Sequence, residues 1–366
     1  MVIAYDLRYA CDHFAGIGTH GHALLASLLE LEGPERYFVL WNPALRQTRH
    51  DFAPIARHPR VTWVERSWPP LAPAHLVSLG RWLRRSRAAF YVSPYYLRPV
   101  AAGCPSALTI HDVWPLRMRE GLSPARHLLY RLSLQWAAGA RVILTSSEFS
   151  RREIVTLLRY PADRVHAVTL GNPPRSRAEE PVRPGSLPDG RFALVVGDNR
   201  PRKNLEILAR VWALFGDSPP LRLVVAGRAD PRFPSMTEFV TRHRARCVTP
   251  LGWVSGAELD WLYANATLVL FPSRYEGFGF PIVEAFDRGL PVVAADIETF
   301  REVAGPAARY ADPDRPEDWV SAIRGLLESP EALEAARAAG RARAGAFDYA
   351  RTARRTLELL RTAARA

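Results

Sequence analysis

The sequence predicts an α/β fold of two parallel domains, with a ligand cleft at the carboxyl ends of their sheets. Three observations carry that expectation. Short apolar, strand-like runs alternate with helical patterns from one end to the other, the signature of parallel α/β layers. Residues 171–190 carry five prolines and no periodicity, and split the alternation into two sets. A chain of 366 residues with 48% hydrophobic content is long for one core and sufficient for two. The expected organisation is a domain over 1–170, a linker over 171–190, a second domain over 191–345, and a closing helix over 346–366.

In chain order, the expected strands of the first domain are 2–6, 37–41, 61–65, 90–93, 107–111, 141–145 and 165–170, each a run rich in β-branched and aromatic residues. Helical patterns such as 20–30 and 124–137 lie between them. Beyond the linker, strands are expected at 192–196, 221–226, 268–271 and 291–294. The spacing of Leu205, Leu208, Ala209 and Trp212 predicts a helix after the first of these. Ser255 and Glu258 read as a capping box. The Ala/Arg-rich tail from Pro330 predicts closing helices anchored by Phe347 and Tyr349, the last packing back on the first domain.

Composition narrows the function. Cys11, Cys104 and Cys247 are far apart and lack metal-ligand spacing, which points to a reducing compartment and to neither a zinc site nor a disulfide framework. The N-terminal Met-Val-Ile-Ala-Tyr-Asp has no signal-peptide character, and no apolar run approaches the ~20 residues that span a bilayer. A cytoplasmic protein is therefore expected, either soluble or resting peripherally on the inner membrane face. The net charge of +12 is concentrated in the first half, so that half should attract anions. Its sharpest patch, His75 to Arg87, sets Arg81, Arg84, Arg85 and Arg87 beside Leu79, Trp82 and Leu83. This is either a basic helix for an anionic membrane surface or a packed helix with a solvated face. No recognised nucleic-acid motif accompanies the charge, so no nucleic-acid partner is expected.

The run Phe271 to Glu284, Phe-Pro-Ser-Arg-Tyr-Glu-Gly-Phe-Gly-Phe-Pro-Ile-Val-Glu, places two carboxylates around a glycine turn between an apolar strand and a helix. Gly277 and Gly279 permit close backbone approach. Pro281 suits a helix start, and free amides near 278–282 would favour phosphate. Glu284 leans back toward the same mouth. The alternative is plain: Glu284 caps its own helix and Glu276 is a solvated loop acid.

A second feature supports a phosphate ligand. Of 49 Lys and Arg residues, 48 are Arg and one, Lys203, is Lys. It stands in Asn199-Arg-Pro-Arg-Lys-Asn204, between an apolar strand and a helical pattern. A compact ammonium neutralises a diphosphate as a point charge in a way an Arg fork does not duplicate, and Arg200 and Arg202 add field.

At these residues the chain resembles the retaining glycosyltransferases of family 4, over nearly its whole length. The carriers are the Glu276…Glu284 pair with Gly289-Leu-Pro-Val-Val-Ala-Ala after it, Pro-Arg-Lys-Asn at 201–204, Ser-Glu-Phe-Ser-Arg-Arg at 147–152, Thr-Ile-His-Asp-Val-Trp-Pro-Leu at 109–116, and Gly-Ile-Gly-Thr-His at 16–20. The resemblance implies the GT-B fold, two Rossmann-like domains facing each other across a cleft, and transfer of a hexose from a nucleotide diphosphate sugar. It implies GDP-mannose as donor, with UDP-hexose next, no cofactor and no metal. The implied acceptor is a glycan or a polyprenyl-diphosphate-linked sugar.

By the same resemblance Glu284 holds ribose hydroxyls, Glu276 lies beside the transferred sugar, and Gly277, Phe278, Gly279 and Phe280 supply backbone donors. Lys203 with Arg202 or Arg200 neutralises the leaving diphosphate, and His111 faces the reacting sugar. Gly16, Gly18 and Asp112 belong to acceptor or cleft loops. Asp312-Pro-Asp314 matches the metal-binding pattern of another glycosyltransferase fold but reads as a loop remote from these motifs.

Two other readings fit parts of the sequence. Gly16-Ile-Gly-Thr-His-Gly21 fits the dinucleotide pattern of NAD-dependent oxidoreductases, yet its strand ends near Asp6, about ten residues too early. A same-fold nucleotide-sugar epimerase, a phosphorylase or a non-catalytic binder would keep the donor site without this reaction.

Overall fold

The computed structural model describes residues 1–118, 121–172 and 180–365. The chain divides into two compact units, Met1–Ser176 with Phe347–Ala366, and Arg177–Ala346. Residues 173–179 of the expected linker, and residue 366 of the expected closing helix, lie outside the described residues.

The first unit is built on seven strands: β1 Val2–Asp6, β2 Arg36–Trp41, β3 Val61–Glu65, β4 Phe90–Ser93, β5 Ser106–Thr109, β6 Val142–Thr145 and β7 Val165–Ala167. All pair in parallel, in the order β3-β2-β1-β4-β5-β6-β7. Every residue of β4, β5 and β6 is buried, as expected for strands covered on both faces. Helix Ala15–Glu30 covers one side through Leu24, Leu25 and Leu28. Against it lies the C-terminal helix Tyr349–Arg365, which buries Tyr349, Ala353, Leu357 and Leu360 at helical spacing. Arg361 grips Glu35 with two bonds of 2.8 and 2.9 Å, locking that helix in place. At the end of β1 the carboxylate of Asp6 is fully buried between the Arg8 guanidinium at 2.6 Å and the Tyr91 hydroxyl at 2.6 Å.

The basic segment 75–87 forms helix Pro73–Ser86. Leu79 and Leu83 are buried, Trp82 meets Phe38 edge-on at 6.0 Å, and a Cβ on Gly80 would fall 1.7 Å from the Val100 carbonyl oxygen. Its apolar side is thus consumed inside the unit, leaving Arg81, Arg84, Arg85 and Arg87 exposed.

The second unit holds β8 Phe192–Val196, β9 Arg222–Ala226, β10 Val248–Gly252, β11 Leu268–Phe271, β12 Val292–Ala295 and β13 Ala308–Ala311, all parallel in the order β10-β9-β8-β11-β12-β13. The order reverses between β8 and β11, whose Ala193 and Leu194 pair with Leu268 and Val269. Loops leaving the carboxyl ends of these neighbours are obliged to meet, and such switch points are where open α/β sheets take their ligands. Residues 180–190 belong to this unit: Val182 N–H donates to the Ala257 carbonyl at 3.1 Å, and the Arg183 guanidinium lies 5.7 Å over the Trp261 ring. The Ser255–Glu258 capping box forms with both reciprocal bonds, starting helix Gly256–Asn265.

Candidate functional site at the switch point of the second unit

The loop after β8 begins at Gly197, where the backbone of Gly227 comes so close that a Cβ there would lie 1.9 Å from the Gly197 oxygen. Pro201–Lys203 form one 3-10 turn, stopped by Asn204 in the left-handed region at φ 55°. The Asn204 amide donates to the carbonyls of Pro272 at 3.1 Å and Pro313 at 2.8 Å. Arg274 N–H donates to the Arg202 carbonyl at 2.8 Å, so the loops after β8 and β11 are stitched to each other.

The loop after β11 carries Glu276 into this junction. Lys203 Nζ donates to its Oε1 at 2.5 Å and Arg202 Nη1 to its Oε2 at 3.1 Å. Thr299 Oγ1 holds the Glu276 carbonyl at 2.9 Å. Burial pushes the Glu276 carboxyl up, but Lys203 and then Arg202 outweigh it and hold the group down at about 2. Two cations against one carboxylate leave the cluster net positive, and Lys203, Glu276, Ser273 and Gly279 line a common cavity with Gly197 and Phe300.

Gly279 caps helix Phe280–Asp287 at φ 112° without a side-chain cap, a conformation that suits glycine, and Pro281 is the second helical residue. Phe278 is buried and meets Phe280 edge-to-face at 5.4 Å.

Glu284, one turn into this helix, occupies a different environment and does not line that cavity. The Tyr263 hydroxyl donates to its Oε2 at 3.0 Å. Arg288 stacks 4.5 Å over the Tyr263 ring, pairs with Asp260 at 2.6 Å and donates to the Glu284 carbonyl at 3.3 Å. Burial raises the Glu284 carboxyl, and Arg288 and Tyr263 only partly offset it.

The structure separates the two arginines beside Lys203. Arg202 joins the Glu276 cluster, whereas Arg200 turns to Asp198, with Nε 3.5 Å from Oδ2. It also corrects the placement of Asp312-Pro-Asp314. Far in sequence, this loop is close in space, because Pro313 accepts from Asn204 and Asp314 pairs with Arg274. Among the described residues no group of three or more His, Cys, Asp and Glu side chains is arranged to hold a metal.

The remaining predicted residues belong to the first unit. His111 follows β5; its Nε2 lies 3.0 Å from the Pro94 carbonyl, which can only accept, so Nε2 carries the proton. The His20 ring meets it edge-on at 5.2 Å, and burial depresses His111 to about 4, keeping it neutral. Asp112 accepts from Trp114 N–H at 3.3 Å. Gly16 and Gly18 are not in a loop: helix Ala15–Glu30 starts before them. The reason is packing, since a Cβ on Gly18 would lie 2.9 Å from both Ala10 Cα and the Tyr9 oxygen, and only glycine lets this first turn approach.

Four residues that shape the sites were not singled out from sequence: Asn199, Asn204, Thr299 and Tyr263. Asn199 binds the 230–234 loop with its amide, donating to the carbonyls of Asp230, Phe233 and Pro234 at 3.1, 3.0 and 3.1 Å. Of the four, only Asn204 carried a signal, as a small polar residue just before a helical pattern.

Two parallel sheets with this strand order define a GT-B glycosyltransferase fold, and the solved structures agree. Sucrose-phosphate synthase from Thermosynechococcus elongatus is 17% identical, with 99% of this chain and 98% of that one covered and a TM-score of 0.69. Anabaena HepE in complex with UDP and glucose is 16% identical, with 99% and 100% covered and a TM-score of 0.70. Residues 176–343 match the family "Glycosyl transferases group 1". O-antigen chain mannosyltransferase B of Escherichia coli is 35% identical over 57% of this chain and 58% of its own length. O-antigen chain mannosyltransferase RfbU of Salmonella typhimurium is 35% identical over 39% and 40%. The chain therefore spans about half the length of the curated relatives it matches.

Proposed function

We propose that the protein is a retaining glycosyltransferase that moves a hexose, mannose, from GDP-mannose to a glycan or polyprenyl-diphosphate-linked acceptor at an anionic membrane face. No metal takes part in the proposed reaction. The observation that carries the reading is the net-positive Lys203–Arg202–Glu276 cluster beside the bare Gly279 helix start, a site for a diphosphate. The names of the two O-antigen relatives favour mannose; the UDP in the HepE complex keeps UDP-hexose as the alternative donor.

Cleavage of the sugar C1–O bond builds positive charge on the sugar and negative charge on the leaving diphosphate oxygen. Lys203 and Arg202 stabilise that oxygen, exchanging part of their hold on Glu276 for the diphosphate. The acceptor hydroxyl attacks C1 from the face the diphosphate leaves, and its proton passes to the leaving phosphate oxygen. No side-chain base is needed, and Glu276, held ionised, sits beside the sugar as a hydrogen-bond acceptor and counter-charge. Glu284 takes the ribose hydroxyls. In the first unit His111 faces the reacting sugar, and residues near Gly16, Gly18 and Asp112 receive the acceptor. Thermal-unfolding shifts across a panel of nucleotide sugars identify the donor. Product anomer by NMR and turnover with excess EDTA then test retention and metal independence; an inverted linkage or EDTA-abolished transfer refutes those two parts.

A further inference from the structure

Among the described residues nine large apolar side chains are exposed, and four of them sit on one helix, Pro124–Ala137. Leu128, Leu129, Leu132 and Trp136 are 58%, 66%, 51% and 45% exposed. At 3.6 residues per turn they fall within an arc of about 100°. The opposite side, Leu134 and Ala137, is buried in the unit. A contiguous exposed apolar stripe of this kind marks an interaction surface rather than ordinary scatter.

Its surroundings are predominantly basic. Between Glu65 and Glu148 the sequence holds eleven Arg and only two acids, Asp112 and Glu120. Arg126 and Arg131 are exposed on the helix itself. The Arg98 guanidinium lies 5.1 Å over the Trp136 ring, and Trp136 Nε1 donates to the Arg98 carbonyl at 3.1 Å. Residues 98–103 then run on to the basic helix Pro73–Ser86: Val100 N–H donates to the Leu76 carbonyl at 3.0 Å, and Gly103 lies against the Arg84 side chain. The leucine stripe and the Arg81, Arg84 and Arg85 row therefore share one connected region of the first unit.

We propose that this region docks on an anionic lipid surface, with Leu128, Leu129, Leu132 and Trp136 entering the acyl boundary and the arginines holding headgroup phosphates. No helix among the described residues is long and apolar enough to cross a membrane, so the contact is interfacial. A second copy of the chain is a poorer occupant, because a two-fold contact would set arginine against arginine with few acids to answer them. The inference deepens the membrane part of the function proposed above and stands apart from the donor assignment. It also moves the apolar anchor to helix Pro124–Ala137, since the apolar side of Pro73–Ser86 is already packed.

The test is co-sedimentation of the full chain with phosphatidylcholine vesicles, with and without phosphatidylglycerol, at low and raised salt. Wild type should partition onto the anionic vesicles. Leu129→Gln/Leu132→Gln should weaken this roughly ten-fold or more, and Arg84→Gln/Arg85→Gln several-fold with a shallower salt dependence. Thermal melts of both variants should match wild type, as these side chains are exposed. If wild type ignores anionic vesicles, the membrane reading and this surface both fall. If wild type binds and the leucine variant binds equally, the surface is wrong and the membrane reading survives. If instead the leucine variant converts a lipid-free dimer to monomer on size exclusion, the occupant is another copy and the proposal is overturned.

Discussion

Replacing Lys203 with Met removes one cation from Glu276 while keeping the stem that lines the cavity. Glu276 is 14% exposed, and its carboxyl lies at about 2 rather than at 4.5. That depression makes its ionisation worth about 3 kcal/mol of stability at neutral pH. Because the folded value is below the unfolded one, this stability is present in full above the unfolded value and is lost as pH falls toward about 2. Lys203 makes the shorter of the two contacts, 2.5 against 3.1 Å, so its removal should forfeit roughly 1–2 kcal/mol, with Arg202 retaining the rest. For a unit of this size that is a fall in Tm of about 3–6 °C at pH 7. Denaturant unfolding from neutral to acid pH reads the gap, which should close only as pH approaches about 2, where Glu276 protonates in the folded wild type as well. Carboxyl titration by NMR reads the cause, an upward move of the Glu276 midpoint in Lys203→Met. Equal stability at pH 7 with an unmoved midpoint would refute the coupling. If the donor assignment holds, the same variant binds GDP roughly ten-fold more weakly.

Three further outcomes follow from the same geometry. Glu284→Gln should weaken GDP binding roughly ten-fold by calorimetry, yet raise stability slightly at neutral pH. The sign follows from burial: a carboxyl raised in the folded state costs stability as pH rises above its ordinary range, and Gln removes that cost. His111→Ala should lower kcat while leaving GDP affinity within about two-fold, since GDP is assigned to the other unit. With His111 at about 4, the wild-type rate should show no inflection from this group between about pH 5.5 and 8. Gly227→Ala should cost about 3 kcal/mol in urea unfolding, because the new methyl meets a backbone oxygen at 1.9 Å that no rotamer relieves.

Much of the fold was legible because its signals are local. β1, β4, β8 and β11 have the bounds their apolar runs predict, since parallel strands buried on both faces must be continuously apolar; β3, a half-exposed edge strand, also has its predicted bounds, from its Val and Trp residues. The missed strands are the two edges of the second sheet. β10 reads Val-Thr-Pro-Leu-Gly, with a proline that edges tolerate and a register shift between Pro250 and Gly252, and it is only half buried. β13, Ala-Arg-Tyr-Ala, is too short and too mixed to announce itself. The start of helix Ala15–Glu30 was hidden for the opposite reason. Two glycines lower helix propensity locally, and the close approach to Tyr9 and Ala10 that requires one of them is a tertiary fact. Lys203 and Glu276 stood out as motifs, but that they touch depends on β8 and β11 being neighbours. Tyr263, 21 residues before Glu284, left no mark in the sequence.

The sequence offered Glu276 and Glu284 as a pair around one turn, and the structure pulls them apart chemically. Both are removed from water, and each pays differently: Glu276 has two cations within 3.1 Å and is driven down, whereas Glu284 has a phenol hydroxyl and a guanidinium that is already committed to Asp260, and is driven up. Carboxylates whose environments separate them in this way suit different tasks. An acid that stays ionised under any working condition makes a fixed counter-charge for Lys203 and Arg202, keeping them placed until a stronger anion arrives. An acid whose ionised form is poorly solvated gains when hydroxyl donors are brought to it, which is what the vicinal hydroxyls of a ribose supply. Under the proposed function, the same eight-residue spacing gives one residue that keeps Lys203 and Arg202 in register for a diphosphate and another whose carboxylate gains hydrogen bonds when a nucleotide ribose arrives.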